Sequence, residues 1–469
     1  MKKGDEITLQ MEGLSGEGKS IARFEGMVVF VQNAVPGDTV QAVITRIKRN
    51  FCEAKALQVV IPSKDRTNPR CKHFGVCGGC KWQNFSYSAQ LIEKRKLVAD
   101  AFERIGGFEN PNIQDVIGCG NSYFYRNKME FTFSRSRWLT VEEMNTPSAP
   151  DEGIALGLHV PRRYDKVLDL QECWLQSELS TEILQTVRLI ARQLKLTVYS
   201  TETHDGYLRH LAIRQSKHTP ELMVNLVTTD DAPQPMSIIA NELIEKFPQI
   251  TTVVNNITAR KSMVAFGDAE RVYHGPGYIT ERIGSYTFRI SANSFFQTNT
   301  LQTEVLYSTA KQLANLQKSD VVYDLYSGTG SIAIFLSDAV ERVIGIELIE
   351  SSVNDAQRNA ELNGISNCYF LQGDLKDRLT KEGEWINEHP RATVIFIDPP
   401  RSGMHPKVVS QIVKLAPEKI IYISCNPSTQ ARDAKMLASA GYVLKIVQPV
   451  DMFPHTDHVE AVAVLMSEL

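Results

Sequence analysis

Two regimes of apolar spacing divide the chain. From residue 321 onward, short apolar runs recur with helical stretches between them. The runs are VVYDLYS (321–327), VIGIE (343–347), CYFLQGD (368–374), VIFIDPP (394–400), KIIYISC (419–425), YVLKIVQ (442–448) and VEAVAVLM (459–466). Continuous β-branched runs are what strands buried on both faces require. The helical stretches stop at Asn363-Gly364 and Gly441, residues suited to the left-handed position after a last helical turn. This alternation predicts a parallel sheet with right-handed crossovers, an α/β Rossmann-like doubly wound domain over residues 286–469. A helical pattern over Asn293–Leu316, with Leu301, Val305 and Leu313 on one face, precedes its first strand.

The earlier regime is different. Residues 1–62 read as short strands around Val28–Val31, punctuated by Gly13, Gly16, Gly18, Gly26 and Pro36-Gly37-Asp38, which predicts a small β-barrel. Residues 86–105 carry Leu91, Val98, Phe102 and Ile105 at helical spacing before Gly106-Gly107, so an amphipathic helix is expected. Residues 63–285 then form a central α+β domain, with strand-like pieces at 129–134, 208–215, 222–228 and 250–258.

Composition narrows the class. Of 469 residues, 43% are hydrophobic and 22% charged, and no apolar run reaches membrane-spanning length; with no signal peptide at MKKGDEITLQ, a cytoplasmic protein without a membrane partner is expected. The net charge of −3 conceals an excess of +6 in residues 1–100 and −9 in the remainder. A basic front end fits contact with a polyanion, and equally an ordinary solvated face. Its clearest basic set is Arg46, Lys48, Arg49 and Lys55; Arg126, Lys128, Arg135, Arg137, Arg162, Arg163 and Arg214 follow in the central domain, where some could track phosphates.

Cys71, Cys77 and Cys80 are spaced C-x5-C-x2-C. Three clustered thiols in such a chain read as ligands of an iron–sulfur centre, with tetrahedral zinc as the rival. The spacing is not the C-x3-C-x2-C of radical S-adenosylmethionine enzymes. A fourth ligand must come from elsewhere. Cys173, in DLQECWLQ, is the candidate, although on composition alone it reads as core.

The remaining chemistry gathers at the carboxyl ends of the predicted strands, where open α/β sheets bind ligands. Asp324-Leu325-Tyr326-Ser327-Gly328-Thr329-Gly330 leaves the first strand, and Glu347 ends the second nineteen residues after Gly328. That pair alone also fits a dinucleotide site. Asp398-Pro399-Pro400-Arg401 ending the fourth strand discriminates, because it resembles class I S-adenosylmethionine-dependent methyltransferases. Gly373-Asp374 after the third strand fits contact with adenine. Cys425 leaves the fifth strand at a helix N-terminus, a setting that favours thiolate. A methyltransferase needs a thiolate when its acceptor is an unreactive ring carbon. Carbon 5 of a pyrimidine becomes nucleophilic only after addition at carbon 6, and a base must then remove the carbon-5 proton. If the last strand is antiparallel, as in that fold, its start at His458-Val459-Glu460 lies on the same edge and Glu460 supplies the base.

NSFFQTN, DLYSGTG, IGIE, FIDPPRSG, SCNPSTQARD and HVEAV, in that order, resemble the RNA uracil-5 methyltransferase family. The pattern from Gly16 to Val40 resembles the TRAM domain, an OB-like RNA-binding module. With the cysteine spacing, the whole chain resembles the family's 23S rRNA branch, which carries a four-iron, four-sulfur cluster; the tRNA branch is taken to lack the TRAM and cluster segments. The resemblance implies Cys425 as nucleophile and Glu460 as base. It implies S-adenosyl-L-methionine contacts from Gln297, Tyr326, Ser331, Glu347, Asp374 and Asp398, and a [4Fe-4S] cluster on Cys71, Cys77, Cys80 and Cys173. The expected partner is RNA, most directly a single-stranded or loop uridine of 23S rRNA, bound by a monomer with no DNA partner. Two rivals stand beside it. An RNA cytosine-5 methyltransferase would show a Cys beside the Pro of DPPR, absent here. A non-catalytic cluster-bearing RNA-binding protein would have no need of Cys425 and Glu460.

Overall fold

The computed structural model describes residues 2–144, 153–161, 163–263, 265–379 and 389–468, so the expectation for Arg162 lies outside the described residues. Among them no helix is long and apolar enough to cross a membrane.

The front segment is a six-stranded sheet. Its spatial order is Glu6–Gln10, Thr39–Ile47, Phe51–Ile61, Met27–Gln32, Ser20–Phe24 and Gly13–Leu14. It wraps a core that includes Leu9, Val29, Val31, Val40 and Ile44. Arg46, Lys48, Arg49 and Lys55 are exposed.

An eight-stranded mixed sheet follows, and contains Lys128–Ser134, Leu208–Gln215, Leu222–Thr228 and Thr252–Ile257. Helices Glu178–Gln193 and Pro233–Lys246 cover one face through Ile183, Val187, Met236 and Ile239. Not all of its basic residues are free for phosphate. Arg214 is 3% exposed and donates to the Ser294 carbonyl, Lys128 pairs with Glu130, and Arg137 pairs with Glu143. Arg135 and Arg163 are exposed.

The C-terminal sheet has seven strands in the order Cys368–Gln372, Arg342–Glu347, Val321–Leu325, Val394–Ile397, Lys419–Ser424, Glu460–Ser467, Tyr442–Val450. The first five run parallel, and Glu460–Ser467 runs antiparallel to both neighbours. Strand order reverses between Val321–Leu325 and Val394–Ile397, which opens a crevice at their carboxyl ends. Successive side chains feed two cores: Val322, Val343, Phe396 and Ile421 pack on one face, Tyr323, Ile344, Ile395 and Tyr422 on the other.

Two helical stripes differ from expectation. In Thr300–Ala314 the buried face is Leu306, Tyr307, Ala310 and Ala314, while Leu301 is exposed. In Tyr87–Asp100, continued by a π-helical turn Ala101–Gly106, Val98 and Phe102 are buried as expected but Ile105 is exposed. Gln90 and Lys94 are buried there instead, because this face docks on the loop before Glu460, and Glu93 is buried beside its partner Lys96. Lys94 Nζ lies 2.6 Å from Asp451 Oδ1, both side chains fully buried. Removing one partner of such a pair costs about 3–5 kcal/mol.

Candidate active site

The reversal of strand order sets where the site forms. After Val321–Leu325 the backbone turns through Tyr326 (φ 65°), Gly328 (φ 53°) and Gly330 (φ 77°) into the helix Ser331–Leu336. A Cβ on Gly330 would lie 2.8 Å from the Phe370 ring, so the turn requires glycine. The Gly328 N–H donates to Glu347 Oε2 at 3.0 Å, which ties the ends of two neighbouring strands together. Ser331 Oγ lies 2.8 Å from the Tyr307 hydroxyl. Asp374 caps the helix Leu375–Arg378, and the Lys376 N–H it accepts holds its carboxyl below the usual range.

Sheet register brings the catalytic candidates together. Ser424 pairs with Ala461, so the next positions outward, Cys425 and Glu460, stand side by side across two strands. Ile397 pairs with both Leu325 and Tyr422, which sets Asp398 between the glycine turn and Cys425. Gln297 arrives from outside the sheet. The central sheet holds its segment, through Asn127 Nδ2 donating to the Gln297 carbonyl at 2.8 Å.

These residues line one cavity of about 780 Å³: Gln297, Tyr326, Ser331, Glu347, Asp374 and Asp398, together with Cys425 and Glu460. All six expected cofactor residues and both expected catalytic residues are therefore assembled. The volume lies within the roughly 300–1,000 Å³ of small-molecule sites.

Its electrostatics correct one expectation. The thiol of Cys425 is pushed up to about 11, first by burial and then by the Glu460 carboxylate, against a smaller pull from Arg401. Burial and a neighbouring anion outweigh the helix N-terminus, and the resting group is thiol. Burial also raises Glu460, which is 4% exposed, and Asp398 raises it further; Asp398 itself is raised by burial. Two carboxylates in one desolvated wall disfavour each other's charge. A base with a raised pKa is better matched to proton transfer near neutral pH.

A consequence follows for pH. At pH 7 a thiol of pKa 11 is thiolate in only about one molecule in 10⁴. Raising the pH restores the reactive form, so iodoacetamide labelling of the Cys425 peptide should climb about tenfold per pH unit from 7 to 10. Peptide mass spectrometry would measure it, and a plateau by pH 8 would contradict the assignment.

Arg401, the last residue of DPPR, also lines the cavity, a place the motif alone does not mark. Its guanidinium hydrogen-bonds Cys425 and lies 3.0 Å from both ring nitrogens of His458. A cation directly after the Asp-Pro-Pro turn was the available signal. His458, an alternative base, is held neutral mainly by burial, with Arg401 opposing its protonation. Phe295 is 67% exposed at the cavity wall and Phe453 stands within it; neither has a periodicity that marks it.

The four clustered cysteines gather elsewhere in the fold. Cys71, Cys77, Cys80 and Cys173 line one small cavity with Phe74, Leu158 and Trp174 among its walls. Burial pushes Cys71 up to about 11 and Cys77 and Cys80 to about 12, and raises Cys173. Among the described residues, no group of three or more His, Cys, Asp or Glu side chains is arranged to hold one metal ion. Four sulfur donors in an apolar wall are a donor set that suits an iron–sulfur cluster and equally suits tetrahedral zinc.

Comparison with known proteins agrees with the geometry. The family model for tRNA (uracil-5-)-methyltransferase matches residues 252–468, and that for the TRAM domain matches residues 1–57. An uncharacterized RNA methyltransferase of Chlorobaculum tepidum is 44% identical over 98% of this chain and 96% of its own. One from Bacteroides thetaiotaomicron is 43% identical over 96% and 99%. Among solved structures, the Pyrococcus abyssi tRNA (uracil-54, C5)-methyltransferase in complex with S-adenosyl-L-homocysteine superimposes with a TM-score of 0.73 at 27% identity, covering 98% of this chain and 100% of that one. With a TRAM domain at its front and relatives of this identity along its whole length, the chain belongs to the RNA uracil-5 methyltransferase family.

Proposed function

We propose that this protein, acting as a monomer, methylates carbon 5 of a uridine in 23S rRNA, with S-adenosylmethionine as donor and a covalent Cys425 adduct as intermediate. The observation that carries this is the placement of Cys425 and Glu460 on one sheet edge, just beyond the Ser424–Ala461 pair, where both line the cavity that also holds the six cofactor candidates. Glu347 is suited to the ribose hydroxyls, Asp374 to the adenine, and Gln297, Tyr326, Ser331 and Asp398 to the rest of the molecule. Bound there, S-adenosylmethionine supplies an electrophilic methyl group on a sulfonium.

Cys425 gives up its proton and bonds to carbon 6, which places electron density on carbon 5; the Arg401 guanidinium stabilises the thiolate. After carbon 5 has taken the methyl group, Glu460 removes its proton. The electrons of that C–H bond re-form the 5,6 double bond and expel the thiolate. Glu460 then returns the proton to the leaving sulfur, so each cycle releases the one proton lost when the thiol ionised.

The rRNA assignment rests on resemblance to the cluster-bearing branch. A tRNA substrate is the second reading, favoured by the archaeal tRNA enzyme's match over 98% of this chain. That coverage also removes an expectation, since a TRAM segment at the front does not by itself separate rRNA from tRNA enzymes. Mapping 5-methyluridine in both RNAs from a deletion strain decides. Loss from 23S rRNA supports the proposal, loss from tRNA alone supports the alternative, and loss from neither overturns both.

The four cysteines are proposed to hold a [4Fe-4S] cluster. Anaerobically purified protein should be brown and contain about four irons per chain. Cys173→Ser should lower the iron content and the visible absorbance together. Full retention would place the fourth ligand elsewhere, and stoichiometric zinc without iron would refute the cluster.

A further inference from the structure

A second cavity, of about 230 Å³, shares Cys425 and Arg401 with the first and adds Gly16, Leu97, Ser428, Asp457 and His458 to its walls. Three parts of the chain meet there: the turn before Ser20–Phe24, the helix Tyr87–Asp100 and the edge that carries the nucleophile.

The TRAM turn is fixed in place. Trp82 Nε1 donates to the Gly18 carbonyl at 3.1 Å, and Lys81 Nζ donates to the Glu17 carbonyl at 3.0 Å. Lys81 also pairs with Asp457 Oδ2 at 2.7 Å. Gly18 sits at φ 77°, and a Cβ there would lie 3.1 Å from the Asp457 Cβ. Close approach of the turn to Asp457 therefore requires glycine.

The charges in this cavity are mixed. One part of its wall is cationic, from Arg401 and the first turn of the helix Pro427–Ala438. Asp457 is anionic, its side chain only 5% exposed, and its Oδ1 is buried with no hydrogen-bond partner. A buried carboxylate oxygen without a donor is rare in a finished site. A free phosphate would be repelled by Asp457, and a simple cation by Arg401. A nucleotide has an anionic backbone for the first wall and base-edge donors for the second.

We propose that this cavity is the subsite for the nucleotide adjacent to the target uridine, and that Asp457 selects there a base with an exocyclic amine over uracil. The inference rests on the reaction proposed above and extends it to sequence choice. A strand whose target base reaches Cys425 from the first cavity must place its neighbour close by, and the second cavity shares Cys425 and Arg401 with the first. Aspartate accepting from an exocyclic amine is an established mode of base readout.

The test uses a pool of short RNAs with a single 5-fluorouridine flanked by randomised positions. The pool is incubated with full-length protein and S-adenosylmethionine. Covalently captured RNA is isolated under denaturing conditions and sequenced. Wild type should enrich A, C or G over U about tenfold at one position next to the fluorouridine. Asp457→Ala should abolish that enrichment while cofactor affinity stays unchanged. Gly16→Leu adds its side chain where nothing lies within 4 Å of the new Cβ, so it should fold normally and reduce capture about tenfold by filling the cavity. If Asp457→Ala does not fold, Gly16→Leu carries the test. Capture by wild type without positional enrichment, the same enrichment in Asp457→Ala, or undiminished capture by Gly16→Leu overturns the subsite. No capture at all by wild type would overturn the covalent reaction, and the subsite with it.

Discussion

Cys425→Ala should reduce RNA methylation to background while leaving cofactor binding and thermal stability at wild-type levels. In a covalent enzyme, loss of the nucleophile costs about 10⁶-fold in kcat. The substitution removes one sulfur from a half-buried position at the mouth of a large cavity, so the strands beneath it are undisturbed. S-adenosylmethionine affinity should persist because the other residues of the cavity are untouched. The two readouts, methyl incorporation and equilibrium cofactor binding, must therefore separate. Residual turnover above about 1% of wild type would mean that carbon 5 is activated some other way.

Glu460→Gln should fail differently. Addition and methyl transfer both precede the step that needs a base, so this variant should accumulate a methylated protein–RNA adduct on ordinary uridine RNA. General-base assistance is worth about 10²–10⁴-fold, and turnover should fall by that factor. Gln keeps the shape of a side chain that is 4% exposed in a strand, so the fold should hold. Losing the Glu460 carboxylate removes an anion that raises Cys425. Adduct formation in the variant should consequently be no slower than in wild type. A radiolabelled methyl group in a denaturant-resistant complex is the expected result. Normal turnover, or an inactive variant without adduct, would remove Glu460 from the role of base and direct attention to His458.

The C-terminal sheet was legible because its strands are buried on both faces. Such strands read as uninterrupted apolar runs, and their carboxyl ends place Tyr326, Glu347, Asp374, Asp398 and Cys425 on one edge without further information. Glu460 was legible only once the last strand was taken as antiparallel, which the register with Lys419–Ser424 bears out. Gln90 and Lys94 were not legible. Their polarity marks them as solvent-facing, and the partners that bury them, His455 and Asp451, lie 365 and 357 residues away. Arg214 misled for the same reason, being closed off by the Ser294 carbonyl of a distant turn. The protonation state of Cys425 was not legible because the helix N-terminus is visible in sequence, whereas the burial of the thiol, and the contact with Glu460 that adds to it, appear only in the folded sheet.

The most direct measurement of the central claim is peptide mass spectrometry of wild-type protein trapped on RNA that contains 5-fluorouridine, in the presence of S-adenosylmethionine. Fluorine cannot leave as a proton, so the adduct should persist after the methyl group has been transferred. The peptide that contains Cys425 should carry the mass of one 5-fluorouridine nucleotide plus one methyl group, with fragmentation placing the addition on the Cys425 sulfur. Attachment at any other residue, or a trapped species without the methyl group, would contradict the account.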